Sequence, residues 1–405
     1  MSARPRRRLV ILCAVLLLTG AAAAGAYHLW RKAERQELAD LCRKAARREQ
    51  WNDLEKAARR WKELEPASGD ALLYLGQAAE GRSAWGEALE FYCQVPDSDR
   101  QAVTALLDAS SLAFGPLNDP LRGVEIAERV VRIDPGTGEA QKRLIMFYAA
   151  TMQRARVAAQ IRSAIQARSE PREAYPYYFL LFTLRPNDAP ALVERWRKRY
   201  PEEETFIVAE FLLQPEPVEE DPFAPASPNT PDVPRSEREK SRLLQVDRLL
   251  ARYPQNIELL AYKASLCIAT SDVPRAVALL SQVPKAARDD ARFWALKGFI
   301  HESNQEFDAA RQAYRQALEL HPADWRARSR LAVIERQYRN LDEVKKLTDL
   351  VERSIELRRE LPKAAATQLE DPSLFLKLVQ YYHDCGDSLM APALERRIDE
   401  MRRRK

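Results

Sequence analysis

Four histidines, His28, His301, His321 and His383, are the residues of this 405-residue chain to question first about acid–base or metal chemistry. His383 stands beside Asp384 and Cys385, the residue types of a nucleophilic or metal-binding site. Neighbours along a helix do not face one another, so adjacency does not bring nucleophile, base and orienting group together. The triplet reads as a polar cluster at a helix end. No two-cysteine knuckle, His-x-x-x-His pair or glycine-rich phosphate loop occurs. Most carboxylates have basic neighbours at helical spacing and read as solvated surface. The sequence offers no catalytic, cofactor or metal residues, and an unrecognised enzyme is kept only as the alternative of another class. Besides Cys13, the cysteines are Cys42, Cys93, Cys267 and Cys385, far apart and without paired spacing. They read as buried thiols with no structural disulfide, because Cys packs as a small hydrophobe.

The elements that would position any site follow a step of 34 residues. Ala264, Gly298 and Ala332 are spaced by it, as are Cys42 and Gly76, while Pro254 and Pro322 stand two steps apart. A period of this size marks units that bury their apolar faces only by stacking on one another. Around Gly298 each position has a packing reason. Small residues at Gly298 and Ala310 let two helices approach closely, and Trp294 and Tyr314 fill the space between units. Pro322 ends the second helix, since it lacks the N–H and clashes with the preceding turn.

These residues, Trp294, Gly298, Ala310, Tyr314, Ala317 and Pro322, resemble the tetratricopeptide repeat pattern, with His301 where that family usually has Tyr. Leu72, Leu75, Gly76, Ala79, Ala88 and Tyr92 match well, and looser units run from Leu38 to Pro66 and from Leu144 to Ala164. A further second helix falls around Gly123–Pro135 with its partner near Ala102–Phe114, and a last pair spans Phe375–Ile398. The resemblance implies an all-α, tetratricopeptide-like α-solenoid of about eight helical hairpins in two blocks. It also implies a groove lined by the first helix of each unit. Carried over by register, that groove contains Glu258, Ala261, Ser265, Ile268 and Ala269, then Arg292, Ala295, Phe299, Glu302 and Ser303, then Arg326, Ser329, Val333, Arg336 and Gln337. The candidate protein-binding residues are Arg292, Phe299, Glu302, Arg326, Val333 and Arg336. The pairs Ala39 with Arg43, Leu73 with Gln77, and Ala295 with Phe299 do not match the Lys and Asn by which some members clamp chaperone tails.

Composition agrees with a helical array. Gly is only 12 of 405 residues, and the formal charge of +5 gives no case for nucleic acid, which calls for a concentrated basic face. The N-terminus has a different character. Arg4, Arg6, Arg7 and Arg8 form a basic region over residues 1–8, followed by an uncharged run from Leu9 to Tyr27. As a helix that run is about 28 Å long, enough for the hydrocarbon core. Two readings of residues 9–30 stay open: an uncleaved transmembrane anchor, and a signal peptide cut near Ala24-Gly25-Ala26. In the first, the N-terminal arginines place the N-terminus in the cytoplasm and the repeats outside it. In the second, the protein is secreted or periplasmic.

Residues 31–213 form the first expected block, 214–236 a proline-rich linker, and 237–405 the second block. Pro222, Pro225, Pro228, Pro231 and Pro234 recur every third residue, the pitch of polyproline II. The linker reads as a stiff spacer, or as a docking strip for a partner's aromatic groove. Together these features describe a membrane-tethered scaffold or adaptor that holds a protein or peptide partner in a concave helical groove. The runner-up is a periplasmic assembly factor that holds exported proteins.

Overall fold

The computed structural model describes residues 4–214, 235–287, 289–366 and 372–403; the side chains of 4–24, 235–239, 286, 362–366 and 372 are outside the description. Among the described residues the chain is helical, with no strand, and it divides into two compact units, Met1–Asp134 and Pro135–Lys405.

In the first unit, α1 (Arg4–Arg47) and α2 (Trp51–Leu64) form the first hairpin. It is followed by α3 (Gly69–Gly81) with α4 (Trp85–Cys93), and by α5 (Ala102–Phe114) with α6 (Pro120–Ile133). Leu38, Cys42, Leu54, Ala58, Trp61 and Leu75 are buried together between the first two hairpins. The matching unit around Gly76 has the same close approach that the sequence places at Gly298: a Cβ at Gly76 would overlap the ring of Tyr92. The Tyr92 hydroxyl, whose own titration burial pushes well up, donates to Glu80 Oε2 at 2.8 Å. Helix α1 runs without a break through residue 30, so no boundary separates the expected anchor from the first repeat helix. Among the described residues no helix is long and apolar enough to cross a membrane. Most of 9–30, where the anchor is expected, lies outside the described side chains.

In the second unit, α7 (Gly138–Ala150) and α8 (Arg154–Gln166) precede a short α9 (Ala174–Phe179), α10 (Ala189–Arg199) and α11 (Glu204–Leu213). Beyond the proline-rich segment come α12 (Arg235–Arg252), α13 (Ile257–Thr270), α14 (Val273–Gln282), a 3₁₀ turn (Lys285–Ala287), α15 (Ala291–Ser303) and α16 (Phe307–Leu320). The unit ends with α17 (Trp325–Gln337), α18 (Leu341–Ala366), α19 (Pro372–Cys385) and α20 (Met390–Arg403). The first helices start at side-chain caps: Asn256, Asp290 and Asp324 accept backbone N–H bonds at 3.0–3.2 Å from the first turns of α13, α15 and α17. Gly298 repeats the device of Gly76. Its added Cβ would sit 2.6 Å from the Tyr314 ring, and the Tyr314 hydroxyl donates to Glu302 Oε2 at 2.6 Å.

The 34-residue step is also written into the backbone. Left-handed, non-glycine residues stand at the turns inside hairpins: Glu49, Ser83 and Asn118 in the first unit, Met152, Ser271, Gln305 and Arg339 in the second. Ser271, Gln305 and Arg339 keep a spacing of 34 residues.

Two expectations about organisation differ from what is found. Twenty helices are described, room for ten hairpins rather than about eight; the additional helices are α9, α10 and α11, within residues 174–213 where prolines break the spacing, and α12 at Arg235–Arg252. The division between compact units falls at Asp134 and Pro135, not across 214–236. The helices flanking that segment share one apolar cluster, in which Val208, Phe211 and Leu212 join Val246, Leu250 and Leu259. Arg242 fastens the two flanks. Its guanidinium lies 4.2 Å from the Phe211 ring centre and donates to Phe211 O, Gln214 Oε1 and Tyr262 Oη at 2.7–3.2 Å. The segment 215–234 itself, with its expected polyproline pitch, lies outside the described residues.

Candidate functional site

A cavity of about 1290 Å³ opens within the second unit. Its floor comes from successive first helices. Ala261, Ser265 and Ile268 line it from α13, Ala295 and Phe299 from α15, and Ala327 and Ser329 from α17. Small side chains at these positions leave the space open, and Ile268 and Phe299 supply the larger apolar surface. Tyr177, Leu180, Phe182 and Leu184, from the segment between α9 and α10, line it as well. Trp325 and Arg326 join Ile355, Arg358 and Arg359 of α18 in a further part of the lining.

Aromatic packing holds the α9 wall in place. Phe179 meets Tyr381 edge-on at 5.2 Å, Tyr178 meets His321 at 5.0 Å, and Phe182 meets His321 at 4.7 Å. The Tyr175 hydroxyl donates to Ala393 O at 3.1 Å, and Arg162 donates to Leu320 O at 2.9 Å. Residues 160–182 are thereby tied to the end of α16 and to the last hairpin. His321 is buried, and burial, then the charges of Arg162 and Arg328, push its imidazole down to about 3, so it is neutral at physiological pH.

Several arginines stand at the cavity. Arg292 is buried between carboxylates, 2.5 Å from Glu258 Oε2 and 2.6 Å from Asp290 Oδ2. Burial pushes the Asp290 pKa up, but the charge of Arg292 and the hydrogen bonds from its side chain and backbone together outweigh it and hold the carboxyl below its ordinary range. Arg330 leans on Glu302 at 3.3 Å. Arg326 and Arg358 flank the indole of Trp325, with guanidinium carbons 5.4 and 4.2 Å from its ring centre. Behind them, burial pushes the Asp324 carboxyl up, although it accepts from the Arg326 and Ala327 amides.

Of the six candidate residues, the structure brings Arg292, Phe299 and Arg326 together on the cavity wall. Glu302 is occupied with Tyr314 and Arg330. Val333 and Arg336 are exposed and lie beyond the lining. The cause is a drift along the array. The lining covers residues 261–271 around α13, 292–299 of α15 and 325–330 of α17, sliding toward the N-terminal end of each successive helix. A fixed register overshoots by the third unit. Sequence reasoning missed Tyr177, Phe182 and Arg185, whose only signal was the proline-broken spacing around Pro171, Pro176 and Pro186. It also missed Trp325, Arg358 and Arg359.

The triplet at the end of α19 disperses. His383 Nε2 meets Glu395 at 2.8 Å, Asp384 meets Arg353 at 2.8 Å, and Cys385 Sγ accepts from Arg328 at 3.2 Å. Among the described residues no group of three or more His, Cys, Asp or Glu could hold a metal ion, and Cys42, Cys93, Cys267 and Cys385 are free thiols.

Two tetratricopeptide repeat family models match residues 246–298 and 291–334, the region of α12–α17 that carries the cavity floor. Residues 246–334 therefore carry tetratricopeptide repeats. No curated protein matches the sequence. Solved structures similar to this chain include a tetratricopeptide repeat protein from Parabacteroides merdae, at 14% identity and TM-score 0.27 over 75% of this chain and 99% of that one. The Cut9–Hcn1 hetero-tetramer of the APC/C is similar at 10% identity and TM-score 0.34, over 91% and 79%. The human IFIT1 dimer with PPP-AAAA is similar at 12% identity and TM-score 0.32, over 86% of each chain. Superpositions this loose carry no functional weight. Repeats of this family imply a protein-interaction scaffold in general.

Proposed function

We propose that this protein is a membrane-tethered tetratricopeptide repeat scaffold that holds a segment of a partner protein in the cavity of its second unit. The observation that carries the reading is the cavity itself. At about 1290 Å³ it exceeds the ~300–1,000 Å³ of most small-molecule clefts and is lined by helices rather than by a constellation of reactive side chains. The dispersal of the His383 triplet supports a binding role over a catalytic one. The basic residues 1–8 and the apolar run that follows support a tether at 9–30, an N-terminus in the cytoplasm and repeats on the other side.

Filling the cavity tests the reading. Ser329→Trp and Ser265→Trp place an indole at two floor positions, one half-buried and one exposed. The full-length chain is cross-linked in membranes of its source organism. Both variants are expected to lose the partner that the parent retains while keeping its melting temperature. Retention by both variants contradicts the assignment. Protease protection in intact cells tests the topology: digestion of the repeats from outside supports it, and protection opposes it.

A further inference from the structure

We propose that the first unit lies along a bilayer surface, with its helices standing upright on the headgroup layer and the turns between its hairpins facing the lipid, held there by the unbroken helix α1. This rests on the tether reading and adds how the tethered repeats are oriented. The argument begins at Tyr27, Leu29 and Trp30, which are 54%, 71% and 53% exposed. Residues 25–30 are all exposed, and six successive positions cover every side of a helix. A protein docking from one side would leave the other side bare, whereas a lipid layer surrounds a helix. Aromatic rings followed by basic residues, here Trp30 followed by Arg31 and Lys32, suit the boundary between acyl chains and headgroups. The Tyr27 and Trp30 rings stand 5.9 Å apart at that level. They follow directly on the apolar run from Leu9.

Helix α1 carries this level into the fold without a hinge, since it continues unbroken to Arg47. Arg31 donates to Leu64 O at the end of α2, and Arg35 meets Glu65 at 3.5 Å. The turn from α2 to α3 is therefore level with Arg31, within one helical turn of Trp30, or about 5 Å. The next turn between hairpins lies on the same edge. Asp99, between α4 and α5, accepts from the Gly69 amide at 3.1 Å, and Arg100 meets Asp70 at 2.6 Å. Arg129, near the end of α6, donates to Asp97 at 2.6 Å and to Val95 O at 2.9 Å.

The opposite edge carries the turns inside hairpins, at Glu49, Ser83 and Asn118. Helix α2 has 14 residues, so the two edges are about 21 Å apart. A spanning helix that runs straight into α1 sets the first edge at the headgroups and holds the second clear of them. The ordinary tilt of a spanning helix, about 20°, does not exchange the two. Charge is balanced along the lipid-facing edge, where Arg35, Arg100 and Arg129 pair with Glu65, Asp70 and Asp97. The anchoring is therefore apolar.

Fluorescence quenching tests the proposal on the full-length chain in phosphatidylcholine vesicles, with a nitroxide on the lipid headgroup as quencher. A genetically encoded fluorescent amino acid replaces one exposed residue at a time: Ala67 or Ser98 on the lipid-facing edge, Arg48 or Gly86 on the other. Emission from 67 and 98 is expected to fall severalfold further than emission from 48 and 86. A flexible glycine–serine insert between Trp30 and Arg31 should abolish that difference while leaving flotation with the vesicles and the melting temperature unchanged. Equal quenching at the two edges, stronger quenching at 48 and 86, or a difference that survives the insert overturns the proposal and leaves the tether standing. No quenching at any position in chains that float overturns it too, and places residues 27–30 against protein rather than lipid. A chain that does not float with vesicles removes the tether reading, and the proposal with it.

Discussion

Arg292 sits between Glu258 and Asp290 with 11% of its side chain exposed. Removing it strands two buried carboxylates. Arg292→Met is therefore expected to lower stability by about 3 kcal/mol, because breaking a buried ion pair from one side leaves uncompensated charge. Urea unfolding measures it, and a loss under about 1 kcal/mol would contradict the account. His321 has the opposite character, a neutral group held in a cationic surrounding. Its folded pKa is about 3, well below the ~6.5 of an unfolded imidazole. The unfolded chain takes up a proton below pH ~6.5 and the folded chain does not, so stability present above that value is lost as pH falls toward 3. Between about pH 6.5 and 5 this one group removes about 2 kcal/mol. His321→Asn should be less stable at pH 7 but should flatten that slope; an unchanged slope would show that other groups set it. Neither environment was legible in the sequence, where Arg292 read as a groove residue and nothing marked His321 for burial. Gly76 and Gly298 were legible, because only a missing Cβ admits the rings of Tyr92 and Tyr314.

At the scale of elements, the 34-residue step specifies turns as well as helices. Gln305 takes φ 62° at the turn between α15 and α16. Left-handed backbone costs an ordinary residue about 1–2 kcal/mol and a β-branched one more. Gln305→Gly is expected to leave thermal stability unchanged or slightly raised, and Gln305→Val to lower it by about 1 kcal/mol or more. Equal melting temperatures for the two variants would mean that the turn is not strained. Helices with a small residue at a fixed phase were readable from spacing, as at α3 and α15. The short α9 and the segment after it were not. Their prolines interrupt the period, and their place in the fold depends on remote partners, Tyr381, Tyr382 and His321. Local pattern carries no information about such contacts. For the same reason the cavity register drifted away from Val333 and Arg336.

At the scale of the whole molecule, the proline-rich segment read as a spacer between blocks, whereas its flanks belong to one core. Arg242 joins the Phe211 side to the Tyr262 side, and the cluster around Val208 and Leu259 continues across. Replacing residues 215–234 by a flexible glycine–serine linker of equal length is expected to leave the melting temperature of the full chain within about 2 °C of the parent. Deleting the Arg242 clamp by Arg242→Ala should lower it distinctly. A large loss from the linker exchange alone would show that the segment contributes to the fold. The central claim is that a partner segment lies inside the cavity of the second unit. Site-specific photo-crosslinking tests it most directly, with the reactive group placed at Ser329 on the floor or at Arg336 on the exposed surface of the same helix, in the full-length chain and its native membranes. The account predicts a polypeptide adduct from position 329 and none from position 336. Equal adducts from both positions, or an adduct from 336 alone, would contradict it.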